Sequence, residues 1–243
     1  MDQMPADSYG WAGSAAAWVE FVDATDPNRA YVLDPAMAEK AGDVRGLRAL
    51  DVGCGEGRFC RLLSERGAAT VGVDPTPALL EVARDRHPEG EYVEARAEQL
   101  PFEDASFDLA VSYVTLCDIP DYRRAISEMA RVLKGGGRLL AAIHTPFVTT
   151  SPTGWLRDEN GAKTIFPVDC YTFESGTKVS WRGIEVVNYH RPQAGYMRAF
   201  LAAGLILADY AEPLPDADAI AACPEVADYL RVPVFTVMEW AKP

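Results

Sequence analysis

The feature that most limits what this chain can become is the run Leu50-Asp51-Val52-Gly53-Cys54-Gly55-Glu56-Gly57-Arg58-Phe59. An apolar segment over residues 47–52 leads into glycines at alternate positions, and a helical pattern follows. Glycine has no Cβ, so the backbone can turn sharply and a ligand can lie against the peptide planes. The helix N-terminus beyond the turn offers N–H groups that have no intrahelical partner. Strand, glycine turn and helix in this order describe a loop for a nucleotide-type cofactor.

The spacing narrows the choice of cofactor. The dinucleotide fingerprint is G-x-G-x-x-G, whose third glycine lets helix and strand pack closely. Here the pattern is G-x-G-x-G, and Arg58 stands where that third glycine would be. Asp51 lies inside the strand, before the loop. A second apolar run, residues 69–73, ends in Asp74, about 20 residues on, where an acid that binds ribose is expected. A carboxylate can accept from both ribose hydroxyls at once.

Composition excludes several classes. The chain has 243 residues, 49% of them hydrophobic, enough for a sizeable core. The formal net charge is −13, which opposes phosphate backbones, so no nucleic-acid partner is expected. The five cysteines, Cys54, Cys60, Cys117, Cys170 and Cys223, are odd in number and contain no C-x-x-C pair. That pattern suits reduced thiols in a cytosol. His87, His144 and His190 are the only histidines, and no metal-ligand cluster is apparent, so no metal is expected. The N-terminus lacks the basic start and apolar core of a signal peptide, and no stretch has the length of a membrane span. The expectation is a cytoplasmic protein, monomer or homodimer.

Five motifs in order resemble the class I S-adenosylmethionine-dependent methyltransferases. The D-V-G-C-G-E-G loop is similar to their first motif, and Val71-Gly72-Val73-Asp74 to their second. Ala97-Glu98-Gln99-Leu100-Pro101-Phe102 resembles their adenine-side loop. The segment from Ser106 to Ser112 resembles their fourth strand, and the segment from Arg131 to Leu140 the turn into their fifth. Within the family the similarity is nearest to the small-molecule branch of the ubiquinone/menaquinone-biosynthesis type, with Tyr189-His190-Arg191-Pro192 and Glu212-Pro213-Leu214-Pro215 in support. The resemblance implies S-adenosyl-L-methionine as cofactor and S-adenosyl-L-homocysteine as product. Competing readings are a nicotinamide-dependent oxidoreductase and a non-catalytic cofactor-binding scaffold.

The alternation of strand and helix patterns predicts an α/β chain with a Rossmann-like, seven-stranded, mostly parallel sheet. Helices lie on both faces, and the last strand is antiparallel. Strands are expected at 47–52, 69–73, 91–94, 107–112, 138–143, 205–211 and 234–240. Helices are expected at 12–23, 33–41, 57–66, 77–86, 120–133 and 193–203. Gly135-Gly136-Gly137 reads as a helix stop and a turn. The organisation is one methyltransferase domain. Residues 1–45 form lid helices and 46–144 the cofactor-binding core. Residues 145–192 form an inserted cap of two to four antiparallel strands or loops, and 193–243 the C-terminal helix and strands. The connection over 212–231 is read as partly helical.

The resemblance also assigns residues. Gly53, Cys54 and Gly55 approach the methionine part of the cofactor, with Asp51 near its amino group. Asp74 holds the ribose. Pro75 and Thr76 line the adenine edge, with Leu79 under the ring. Many relatives carry an Asp just before the alanine of the adenine loop. Here Arg96 stands there and offers no acceptor, so recognition falls to Ala97 and Glu98. Ser112 and Tyr113 end the fourth strand beside cofactor and acceptor. Tyr9, Trp11 and Trp18 resemble a lid, Arg29 faces the cofactor carboxylate, and Trp155, Tyr171 and Trp181 line the acceptor from the cap. His144, ending the fifth strand, is the candidate catalytic base, since imidazole exchanges protons near neutrality. Glu56 reads as solvent-facing and Asp118 as a helix cap.

Overall fold

A computed structural model describes residues 10–24 and 26–243. Helix α1 (Trp11–Asp23) is followed by a π-helical turn, Arg29–Leu33, that runs directly into α2 (Asp34–Ala41). The alternating core then begins. It comprises β1 (Arg48–Val52), α3 (Arg58–Glu65), β2 (Ala69–Asp74), α4 (Pro77–Arg86), β3 (Glu91–Glu94), β4 (Phe107–Tyr113), α5 (Tyr122–Val132) and β5 (Leu133–His144). A one-turn helix, α6 (Pro146–Thr149), opens the insertion, which closes on a hairpin, β6 (Ser175–Trp181) and β7 (Ile184–His190). The chain ends with α7 (Gln193–Ala202), β8 (Ile206–Ala211), α8 (Ala217–Ala222), a 3-10 stretch over Pro224–Leu230, and β9 (Phe235–Ala241).

The main sheet has seven strands in the order β3-β2-β1-β4-β5-β9-β8. β1 pairs in parallel with both β2 and β4, and β4 with β5. β9 slides between β5 and β8 and is antiparallel to both. β1 is therefore an interior strand, flanked by β2 and β4, and its alternation sorts the core. Leu50 and Val52 pack with Tyr122, Ile126 and Met129 of α5 and with Phe200 of α7. Ala49 packs on the other face with Leu33, Met37, Phe59 and Leu63. Phe200 stacks on Trp240, centroids 4.6 Å apart, and both are fully buried. Truncating either to alanine would cost about 3–5 kcal/mol.

The glycine run after α5 differs from the expected free turn. The helix ends at Val132, and Leu133 is already paired with Phe107 of β4. The register then shifts between Phe107 and Leu109, which absorbs the extra residues as a bulge. Gly136 takes a φ of 77° and donates its N–H to the Lys242 carbonyl. The Lys242 ammonium in turn donates to the carbonyls of Ala130 and Leu133, at the negative end of α5. The C-terminal segment, remote in sequence, thus converts the glycines into a strand edge.

The insertion forms a two-stranded sheet of its own. Trp181 pairs with Ile184 across Arg182 and Gly183, whose φ values of 47° and 81° match a type I′ turn. This hairpin is fastened to the core at the β4–α5 connection. Tyr189 donates its N–H to the Cys117 carbonyl, and the buried Arg191 guanidinium donates to the carbonyls of Leu116, Ile119 and Pro120. α1 lies across β7. Ser14 Oγ donates to the Glu185 carbonyl and accepts from its N–H.

Candidate active site

The glycine loop leaves the carboxyl end of β1 with Gly53, Gly55 and Gly57 all at positive φ, 77°, 54° and 77°. A side chain in that region costs about 1–2 kcal/mol. Two of the three are also pressed by neighbours. A Cβ on Gly53 would meet Thr115 Cγ2 at 2.1 Å, and one on Gly57 would meet Tyr92 Oη at 2.6 Å and Ala83 Cβ at 2.9 Å. Gly57 therefore gives the close approach of helix and neighbouring strand that the dinucleotide fingerprint assigns to its third glycine. The last glycine of the G-x-G-x-G pattern, one residue before Arg58, thus carries this packing role. Gly55 differs, since the nearest atom to its Cβ would be Trp18 Nε1 at 3.7 Å.

Asp74 anchors this loop from the end of β2. Its Oδ2 accepts from the Gly55 N–H and its Oδ1 from the Thr76 N–H, both at 2.9 Å. Burial pushes its pKa up, and the two backbone donors oppose that shift. The remaining lone pairs face the larger of two adjoining cavities, about 980 Å³ counting its open mouth. Pro75, Thr76, Leu79, Ala97 and Glu98 line the same cavity, so the sequence-assigned adenine and ribose residues come together there. Arg96 joins them and pairs with Glu98 at 2.9 Å. That ion pair occupies the one carboxylate of the loop.

The smaller cavity, about 390 Å³, lies under the loop and brings together Arg29, Asp34, Asp51, Cys54, Glu56 and Arg58. Asp51 is 2% exposed, and its Oδ1 has no hydrogen-bond partner. Its Oδ2 is approached by the Cys60 thiol at 3.7 Å. Desolvation raises its pKa to about 7. An orphaned, buried carboxylate oxygen is costly unless a partner arrives. An ammonium group is a partner of the right charge. Arg29 lines both cavities and stands over Trp18 and Tyr113, 4.7 and 5.1 Å from their centroids. The donor set, an acid and a guanidinium lining one small space, with the guanidinium also paired to Asp26 at 3.5 Å, fits the amino-acid end of S-adenosylmethionine.

Several sequence assignments need correction. Glu56 does not face solvent: it is 2% exposed and accepts from Arg61 at 2.6 Å and Arg86 at 2.8 Å. It ties the loop to α3 and α4. Ser112 is fully buried and lines neither cavity, because strand alternation turns Tyr113 toward the site and Ser112 away. Tyr113 donates its hydroxyl to Asp34 Oδ1 at 2.6 Å. Asp118 does not cap α5, since Asp121 does so by accepting from the Arg124 N–H. Asp118 instead lines the larger cavity, accepting from Trp11 Nε1 at 3.2 Å and from the Asn188 side chain. Burial raises its pKa to about 7. Its neighbours come from α1 and β7, so no local signal could have exposed its role.

At the acceptor end, Trp11, Trp181 and His144 line the larger cavity with Asp118. The His144 ring stacks on Phe235, centroids 5.4 Å apart. Burial and the charge of Arg29 hold its pKa down at about 4, so the imidazole is neutral at physiological pH. Trp155 lies elsewhere, in a third cavity. Tyr171 lines none of the three: it stacks on Phe147, and its carbonyl contacts the His190 ring. Tyr9 lies outside the described residues.

A mostly parallel sheet in this order, with a glycine loop ending the interior strand β1 and an acid ending its neighbour β2, defines a class of proteins that bind an adenosine-bearing cofactor at the strand ends. Residues 50–141 match the methyltransferase domain family. A solved S-adenosylmethionine-dependent methyltransferase from Mesorhizobium loti is 30% identical, with a TM-score of 0.79, covering 89% of this chain and 98% of that one. An uncharacterized methyltransferase of Mycobacterium bovis is 38% identical over 151 residues, 60% of each chain. A demethylmenaquinone methyltransferase of Tropheryma whipplei is 36% identical over 107 residues, 43% of this chain and 45% of that protein. The chain thus spans 60% or less of the length of these two curated relatives. It belongs to the S-adenosylmethionine-dependent methyltransferases, and S-adenosylmethionine is its cofactor.

Proposed function

We propose that the protein transfers a methyl group from S-adenosylmethionine to an oxygen, nitrogen or carbon of a small aromatic or apolar molecule. One observation carries the reading. A single cavity joins the cofactor-loop residues Gly53, Gly55 and Asp74 to a wall of Trp11, Trp181 and His144. When bound, the cofactor supplies an electrophilic methyl group that the acceptor displaces in line. What remains for the protein is mainly positioning, which is worth most when reacting atoms are held at near-attack distance.

Asp74 holds the ribose, Asp51 the amino group and Arg29 the carboxylate of the cofactor. The ring faces of Trp11 and Trp181 orient a planar or apolar acceptor and keep water from it. The neutral His144 imidazole accepts a hydrogen bond from the acceptor's hydroxyl or amine and directs its lone pair toward the cofactor. The proton released as the methyl group bonds to the acceptor passes through His144 to bulk water, since the depressed basicity of the imidazole keeps it from retaining a proton. The charge of −13 favours a small-molecule acceptor over a nucleic acid, and the cysteine pattern suits a cytoplasmic location. Among the described residues no helix is long and apolar enough to cross a membrane. The name of the Tropheryma relative supports a small acceptor.

The test is calorimetric titration with S-adenosylhomocysteine, NAD and NADP in parallel, then an acceptor screen with labelled cofactor over phenols, indoles and amines. Micromolar binding of the thioether alone, followed by label transfer to one of these classes, is expected. Binding of a nicotinamide cofactor alone would overturn the reading.

A further inference from the structure

A third cavity, about 1280 Å³ with its open mouth, lies between the N-terminal segment, the insertion and the 3-10 stretch near the C-terminus. It backs onto the cofactor cavity. Trp181 lines both. Phe21, in the third cavity, packs on Trp18 of the first at 5.8 Å. Asn28 and Val234 line it, while their chain neighbours Arg29 and Phe235 respectively line the cofactor cavity and support His144. The partition is one side chain thick at Trp181, two rings thick at Trp18 and Phe21, and formed by the main chain at residues 28–29 and 234–235.

The lining of this cavity combines aromatic and aliphatic side chains with five charged ones, of which Lys163 and Asp228 pair with each other. Trp155 and Phe166 meet edge-on at 5.4 Å. Alternation about the short pairing of Leu156 with Ile165 turns those two rings inward and leaves Leu156 and Ile165 exposed. Lys163 is ion-paired with Asp228, Arg182 stands over the Phe21 ring, and Tyr229 donates to Asn28. Arg231 lies over Trp155, 4.2 Å from the ring centroid, so the apolar part of the wall is carried by the rest of that ring, by Phe166 and Trp181, and by Val148 and Val232.

We infer that this second chamber holds the tail of the methyl acceptor. The acceptor is then an elongated molecule, with a compact reactive head beside His144 and an apolar or aromatic body lying past Trp181 against Trp155 and Phe166. The inference rests on the methyltransferase reading and adds the shape of the acceptor to it. It also gives Trp155, remote from the cofactor, a role in acceptor binding.

The experiment is calorimetric titration of the full chain, saturated with S-adenosylhomocysteine, with 4-alkylphenols from 4-methylphenol to 4-hexylphenol. Each methylene that enters the chamber should tighten binding about fourfold. Val232→Trp fills the chamber from its wall and should abolish that gain, leaving the affinities for 4-methylphenol and S-adenosylhomocysteine as in the wild type. Val148→Phe, on another wall, repeats the test if Val232→Trp fails to bind S-adenosylhomocysteine. A series without gain, no binding across the series, or a gain that persists in the filled variants overturns the inference. Failure of the wild type to bind S-adenosylhomocysteine would instead strike the methyltransferase reading itself.

Discussion

Replacing Asp74 by alanine separates the two duties that its carboxylate performs. One duty is visible: it satisfies the N–H groups of Gly55 and Thr76, each at 2.9 Å. The other is the proposed contact with the ribose hydroxyls. A buried donor left without a partner costs about 1–3 kcal/mol, so the two together should cost at least about 2 kcal/mol of stability. For a chain of this size that lowers the melting temperature by about 4–8 °C. A hydrogen bond to a charged group contributes about 1.5–3 kcal/mol. Its loss should raise the Kd for S-adenosylhomocysteine by about 10- to 150-fold. Loop disorder could also weaken binding, so the assay compares S-adenosylhomocysteine with its 2′,3′-dideoxy analogue by calorimetry. Wild type should favour the natural compound by at least tenfold, and Asp74→Ala should bind both alike. If the variant keeps wild-type affinity, or keeps the preference, Asp74 does not hold the ribose.

Perturbations at four other residues test neighbouring parts of the site. Gly53→Ala should destabilise the fold by several kcal/mol, since Thr115 stands 2.1 Å from the new Cβ and φ is 77°. Gly55→Ala should cost about 1–2 kcal/mol in thermal unfolding yet weaken S-adenosylhomocysteine at least tenfold; equal effects of the two variants would sink the distinction. Asp51, raised from 3.8 to about 7, keeps a proton in the folded state that the unfolded chain has shed. Its stabilising contribution is full below 3.8 and is lost as pH rises toward 7, with a slope of up to about 1.4 kcal/mol per pH unit. Asp118 adds a slope of the same sign, so Asp51→Asn should flatten only part of it. Binding of S-adenosylhomocysteine at pH near 6 should release a proton from Asp51, seen as a heat that varies with buffer; a buffer-independent heat speaks against the ammonium contact. His144, held at about 4 against 6.5, has the opposite sign: stability from its neutral form is lost as pH falls from 6.5 to 4. Its ring protons in NMR, assigned with His144→Ala, should not shift above pH near 5.5, and titration near 6.5 would refute its burial.

The order of strands and helices could be read from the chain because each element carries its own periodicity and punctuation. Residues 69–73 are an apolar run closed by an acid and 77–86 an amphipathic run opened by a proline; the first folds as a strand that also takes in Asp74, the second as the expected helix. The glycine loop and Asp74 were legible for the same reason, since cofactor loop, strand end and helix start are contiguous. The turn expected at Gly135-Gly136-Gly137 is a strand edge instead, because the Lys242 partner that straightens it comes from the far end of the sequence; the helix stop before it holds.

Sequence alone determined the α/β alternation, the glycine loop with its unusual spacing, and hence the family and its cofactor. Those features are local: backbone conformation at a glycine and burial along a strand depend on residues within one turn of each other. Tertiary structure decided which polar groups face the cavity. Glu56 was drawn inward by Arg61 and Arg86, and Asp118 by Trp11 and Asn188, residues up to 107 positions away. It also decided that Trp181 stands between two chambers, since that wall is assembled from a hairpin, a helix and a strand that meet only on folding. A carboxylate pays for burial only where distant donors converge on it, and no periodicity along the chain records that convergence.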